Sequence, residues 1–148
     1  NKWDLAKGKA TTDDYAEYLT KVLPGLKNAP IAFTTATESK NVQSLLDLTM
    51  EVFKQTTMKI PTGRLNRAFE LLREETIGGG KKAGRPKIYY ATQIAANPVT
   101  ILMFVNKPEL FEENYRRYLV SKLQEMLGLT EVPIRLFTRA HREKAAAK

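Results

Sequence analysis

Apolar positions recur at helical spacing in four stretches of the chain and gather into short runs in four others. In the first stretch Tyr15, Leu19, Val22 and Leu23 follow Thr11-Thr12-Asp13-Asp14, where capping hydroxyls and acids suit the positive end of a helix dipole. Pro24-Gly25 stops that pattern. Ala29 to Ala36 is short, apolar and β-branched, and reads as a buried strand. Val42, Leu45, Leu46, Thr49, Val52 and Phe53 then form one stripe, which predicts a helix from about Asn41 to Thr56. Loop, helix, strand, helix is half of an α/β unit whose parallel partner strands are missing.

A new pattern begins at Ile60-Pro61-Thr62-Gly63, with Thr62 as the expected cap of a helix bearing Leu65, Ala68, Phe69 and Leu72. That helix is expected to stop at Gly78-Gly79-Gly80, and the glycine-rich basic segment Gly78 to Lys87 to be poorly ordered. Ile88 to Ala96 and Val99 to Asn106 read as an antiparallel hairpin turning at Asn97-Pro98, the second strand apolar enough to be central. Leu110, Phe111, Tyr115, Tyr118, Leu119, Leu123, Met126 and Leu127 predict a long amphipathic helix ended by Gly128. In Val132 to Arg139, Ile134, Leu136 and Thr138 alternate with Arg135, Phe137 and Arg139, so one face looks inward and the other carries arginines. The tail from Ala140 to Lys148 is expected to fray. Residues 1–57 thus read as the end of an α/β domain, and residues 58–148 as an α+β domain with a three-stranded sheet in the order α-β-β-α-β.

Charge sharpens that division. Residues 1–57 hold seven Lys/Arg and seven Asp/Glu, whereas residues 58–148 hold 17 and nine and carry the whole net +8. A basic unit following a neutral one favours a polyanionic partner, because releasing counterions from phosphates supplies sequence-independent affinity. From charge alone, a merely soluble basic surface explains it equally well. The absence of cysteine excludes disulfide frameworks and cysteine metal or redox sites. No apolar run approaches the ~20 residues of a bilayer span, and Asn1-Lys2-Trp3-Asp4 does not open a signal peptide, so a cytoplasmic location with no membrane partner is expected. The single histidine, His141, has neither a nucleophile nor a second metal ligand near it in sequence and reads as a solvated tail residue.

Asn1-Lys2-Trp3-Asp4 fits Asn-Lys-x-Asp, the guanine-specificity box of GTPases. A carboxylate at Asp4 can accept two hydrogen bonds, from the ring N–H and the exocyclic amine of guanine, an edge adenine lacks. The Lys2 stem can lie along the base, and the Asn1 amide can tie the loop and reach the base. Thr34-Thr35-Ala36-Thr37 stands close to the Ser-Ala-x element, whose backbone N–H reads the guanine oxygen. The guanine candidates are therefore Asn1, Lys2, Asp4, Thr35, Ala36 and Thr37.

Ordered blocks through nearly the whole chain resemble the Der (EngA) family of bacterial ribosome-assembly GTPases. Asn-Lys-Trp-Asp-Leu, Pro30 to Ala36 and Lys40-Asn41-Val42 resemble the end of the second GTPase domain of that family. Thr62 to Arg67, Lys87 to Gln93, Phe104 to Phe111, Tyr115 to Leu119 and Pro133 to Leu136 resemble the KH-like domain that follows it. The resemblance implies a P-loop GTPase acting in maturation of the large ribosomal subunit. GTP/GDP would be its cofactor and ribosomal RNA, the large subunit and the preceding GTPase domain its partners. Thr35 stands where the family usually has Ser, and Glu38-Ser39 where Thr-Gly is typical; both leave the Ala36 amide as the expected base donor.

The chain contains no Gly-x-x-x-x-Gly-Lys-Ser/Thr, so it lacks the phosphate loop and the hydroxyl that would hold Mg2+ in the parent, and it should be inactive alone. Nor is there a Gly-x-x-Gly between Lys107 and Glu131 to clamp a nucleic-acid backbone, so RNA contact has to come from surface charge. The candidates are Lys81, Lys82, Arg85 and Lys87 in the loop, Arg116 and Arg117 on the long helix, and Arg135 and Arg139 on the last strand. Phe137, Tyr89 and Tyr90 are interleaved for stacking. Two rivals stand: a standalone KH-like RNA-binding or interaction module without nucleotide chemistry, and a sheet that mainly docks a neighbouring domain. The oligomeric state is not legible.

Overall fold

The structure, a computed structural model, describes residues 1–6, 8–26, 28–76 and 84–141. Its helices are α1 (Thr12–Val22), α2 (Val42–Thr57), α3 (Thr62–Thr76) and α4 (Glu113–Leu127), and its strands β1 (Ile88–Ala95), β2 (Val99–Val105) and β3 (Ile134–Ala140). The chain divides into two compact units, Asn1–Gln55 and Thr56–Lys148.

In the first unit, α1 starts at a reciprocal cap. The Thr11 hydroxyl accepts from the Asp14 amide at 3.1 Å, and Asp14 Oδ2 accepts from the Thr11 amide at 2.9 Å. The run from Ala29 to Ala36 is not a strand. Only Thr35 forms a bridge, exchanging backbone bonds with Lys40, while Trp3 donates to the Thr34 carbonyl at 3.0 Å. A ladder needs a hydrogen-bonded neighbour along its length, and none of the described residues supplies one. The run is not uniformly buried either: Thr34 and Thr35 are, whereas Ile31 is exposed.

The second unit is an α+β domain. Its sheet has the order β1-β2-β3, with β1 antiparallel and β3 parallel to the central β2. A parallel neighbour requires a crossover, which α4 provides. Cross-strand partners share a face, so Ala91, Met103 and Thr138 lie together, as do Gln93, Ile101 and Leu136. Ile101, Met103 and Val105 are fully buried, as are Leu65, Leu119 and Leu123 from α3 and α4. The sheet thus buries one face beneath its helices. The long helix starts later than its apolar pattern suggests. Pro108–Leu110 forms a separate 3-10 turn and Phe111 is buried ahead of α4, because Pro108 favours a fresh start over continuation. Gly128 ends α4 at φ 70° and donates to the carbonyls of Gln124 and Glu125, a left-handed cap that suits glycine. Ala140, expected in the tail, pairs with Val105 as the last residue of β3, and the His141 amide continues to the Val105 carbonyl at 2.8 Å. The expected helix stop at Gly78-Gly79-Gly80 and the tail beyond His141 lie outside the described residues.

Candidate functional site

Two segments far apart in sequence meet at the guanine-type box. Asn1 Oδ1 accepts from the amides of Lys2 at 2.8 Å and Ala36 at 3.2 Å, with the Thr34 hydroxyl at 3.5 Å. The Asp4 amide donates to the hydroxyl of Thr35 at 3.3 Å, and Thr35 itself is buried. Asn1 therefore ties the loop, as its amide chemistry led us to expect. One expectation is corrected: the Ala36 N–H is not open but donates to Asn1 Oδ1. A guanine oxygen at that amide would have to replace Asn1 Oδ1. The Asp4 carboxylate is exposed and makes no hydrogen bond or ion pair with the described residues, so its two oxygens keep their full capacity as acceptors. Lys2 is exposed at φ 61°, and Thr37 is exposed in the 3-10 turn Ala36–Glu38.

Residues outside the motif hold this loop. The Trp3 ring lies 4.4 Å from Phe33 and meets Tyr15 of α1 edge-on at 5.5 Å. Asn41, at φ 57°, donates from Nδ2 to the Phe33 carbonyl at 2.9 Å. The variable position of Asn-Lys-x-Asp thus packs the box against α1, a role that the motif, which is silent at that position, does not disclose.

The basic candidates separate by what they touch. Arg116 is turned into its own domain: Nε donates to the Phe111 carbonyl at 2.6 Å and Nη2 to the Thr138 hydroxyl at 3.2 Å. Arg117 pairs with Glu113 at 3.0 Å on the exposed side of α4. Lys87 Nζ sits 4.6 Å over the Tyr89 ring, and Arg85 is exposed with its carbonyl held by Asn106 Nδ2. Lys81 and Lys82 lie outside the described residues. Arg135 and Arg139 are exposed on β3 and pair with no acid among the described residues. Register pairs Tyr90 with Phe104 and Phe104 with Arg139, and Leu102 with Phe137. The structure therefore gathers Arg139, Phe137, Phe104 and Tyr90 on the sheet face opposite the buried one, with Phe137 52% exposed. Arg135, paired with Thr100, joins the same face.

Side-chain amides tie the blocks of this unit together. Asn66 of α3 exchanges two hydrogen bonds of 2.9 Å with the backbone of Ala91, closing the outer edge of β1. Gln93 accepts from the Ile60 amide at 2.7 Å and donates to the Met58 carbonyl at 2.9 Å. Asn106 accepts from the Lys87 amide at 2.9 Å.

The described residues thus hold a loop with an open carboxylate at Asp4 in the first unit and a basic α+β domain in the second. Residues 59–139 match the family described as KH-domain-like of EngA bacterial GTPase enzymes, C-terminal, and the chain belongs to that family. It is 37% identical over 145 residues to GTPase Der of Natranaerobius thermophilus, covering 97% of this chain and 33% of that protein. With GTPase Der of Syntrophobacter fumaroxidans the identity is 39% over 142 residues, 94% of this chain and 32% of that protein. GTPase Der of Rhodopirellula baltica is 32% identical over 148 residues, the full chain against 32% of its own length. The chain spans about a third of the length of the curated relatives it matches.

Proposed function

We propose that these residues are the guanine-reading end of a GTPase domain and the KH-like module of a GTP-hydrolysing ribosome-assembly factor. The observation that carries this reading is the joined box, in which Asn1 and Asp4 are tied to Thr34, Thr35 and Ala36 while the Asp4 carboxylate stays open. Exposed apolar stripes on the first unit support it. No residue of α1 is buried, and α2 exposes Leu45, Leu46, Met50 and Phe53, a face suited to the sheet of a larger α/β domain. We assign residues 1–57 to that domain and 58–148 to the KH-like one.

GTP or GDP fits here only through its base. With no phosphate-loop sequence among the 148 residues, phosphate and Mg2+ ligation and hydrolysis belong to other residues of the whole protein, and none is assigned to these alone. The KH-like half is read as the contact to large-subunit ribosomal RNA, on the strength of its basic charge and the arginines beside Phe137. Docking of the neighbouring GTPase domain on the same face is the competing use. Among the described residues no helix is long and apolar enough to cross a membrane, in keeping with a cytoplasmic setting.

The test is base choice in the whole protein. Asp4→Asn exchanges an acceptor for a donor, so GTP affinity is expected to fall about 10- to 100-fold while XTP, whose carbonyl replaces the guanine amine, gains. An unchanged GTP-over-XTP preference in nucleotide competition would remove Asp4 from the site.

A further inference from the structure

Within the KH-like unit a half-open cleft of about 1070 Å3 is lined by α3, the entry to β1 and the start of α4, and it shares Tyr90 with the arginine face. Its floor includes the buried Phe69 and Leu119, and Tyr89 and Tyr115 stand in its walls. Arg73, Arg85 and Lys87 also line it, and its one acid, Glu70, is paired with Arg67 at 3.2 Å. The lining is therefore apolar and aromatic inside and net cationic, a combination suited to a flat ring carrying a phosphate. Burial, with the neighbouring Tyr118, raises the Tyr115 pKa.

We propose that this cleft is a nucleoside-phosphate site, with the base against Tyr115 and Tyr89, where it replaces the Lys87 ammonium now 4.6 Å over the Tyr89 ring while His141 keeps its own contact with that ring at 4.8 Å, and the phosphate at Arg73 and the released Lys87. Two further features define what it accepts. Both asparagines of the lining are consumed by backbone, Asn66 by Ala91 and Asn106 by Lys87 and Arg85, so neither reads a base edge. Stacking without edge readers is indifferent to base identity. The cleft is half open, so a neighbour in a strand can extend from it. The ligand comes either as a free nucleotide or as an unpaired stretch of RNA. The second source extends the nucleic-acid reading of this domain, and neither depends on guanine recognition.

The experiment is an NMR titration of the 148-residue chain at low salt with AMP and with a riboadenosine tetranucleotide, adenine lacking the edge that the proposed Asp4 contact needs. Shifts are expected at the Arg73, Lys87 and Tyr89 amides and the Tyr115 ring. Tyr89→Ala is expected to weaken binding about tenfold and Arg73→Ala, an exposed position that leaves the core intact, by about threefold to tenfold. A tetranucleotide bound no tighter than AMP identifies a free-nucleotide site; one bound at least about tenfold tighter identifies a strand. Shifts confined to Arg135 and Arg139, with affinity unmoved by Arg73→Ala and Tyr89→Ala, would overturn the cavity and leave the RNA reading standing. No shift with either ligand would overturn both.

Discussion

Asn66 acts as a one-residue strand. Its carboxamide presents an acceptor and a donor in the plane where a neighbouring backbone would, and Ala91, fully buried on the sheet edge, uses both. Asn66→Ala leaves a buried N–H and C=O without partners, so the KH-like unit is expected to lose about 1–3 kcal/mol, and Asn66→Asp to fail as a replacement because a carboxylate cannot donate. Urea denaturation monitored through this unit measures it, and a midpoint unchanged in Asn66→Ala would show that water replaces the amide. Residues of this kind mark how far the sequence could be read. Asn1 and Asp4 can be singled out from sequence because their spacing is tied to a chemistry, and the structure brings their loop to Thr35 and Ala36. Arg116 was not: its helix position looks solvent-facing until Phe111 and Thr138 are brought beside it.

At the scale of elements, helices announced themselves more clearly than strands. Helices carry their own hydrogen bonds, and α1 and α4 also have a local boundary signal, Thr11 with Asp14 and Gly128, whereas Thr62, expected to cap α3, is instead its first residue. The segment Ala29 to Ala36 has strand composition, but a strand exists only beside another, and composition cannot supply the neighbour. The cap of α1 also makes a pH prediction. Asp14 accepts first from the Thr11 amide and then from its hydroxyl, which lowers its pKa below the ordinary 3.8. With the folded value below the unfolded one, the cap's contribution is complete above the unfolded pKa and disappears as pH falls through the folded value. The Thr11 amide resonance should therefore move in that acid window, and helix content near neutral pH should be lower in Asp14→Ala. A Thr11 amide that does not titrate would mean the box is open in solution.

Across the whole molecule, charge is the property with the longest reach. The +8 resides entirely in residues 58–148, and the face that gathers Arg135 and Arg139 with Phe137, Phe104 and Tyr90 adds stacking rings to that field. Neither the charge nor the rings confers base selectivity, because phosphates look alike in every sequence and stacking tolerates any base. Binding to ribosomal RNA fragments should then be weakly sequence-selective and steeply salt-dependent. Arg135→Ala with Arg139→Ala should weaken unrelated RNAs about equally and reduce the salt slope by roughly 0.7 to 0.9 for each phosphate that is no longer neutralised. Arg116→Ala should instead lower stability, since its guanidinium joins α4 to β3 rather than facing outward. Titrations of the chain with several RNA fragments over a range of salt concentrations separate these outcomes. An affinity that barely moves with salt, or no RNA binding even at low salt, would turn the arginine face from RNA to the neighbouring GTPase domain. Exposed aromatics flanked by cations suit a protein surface as well, and salt dependence is what distinguishes a polyanion from one.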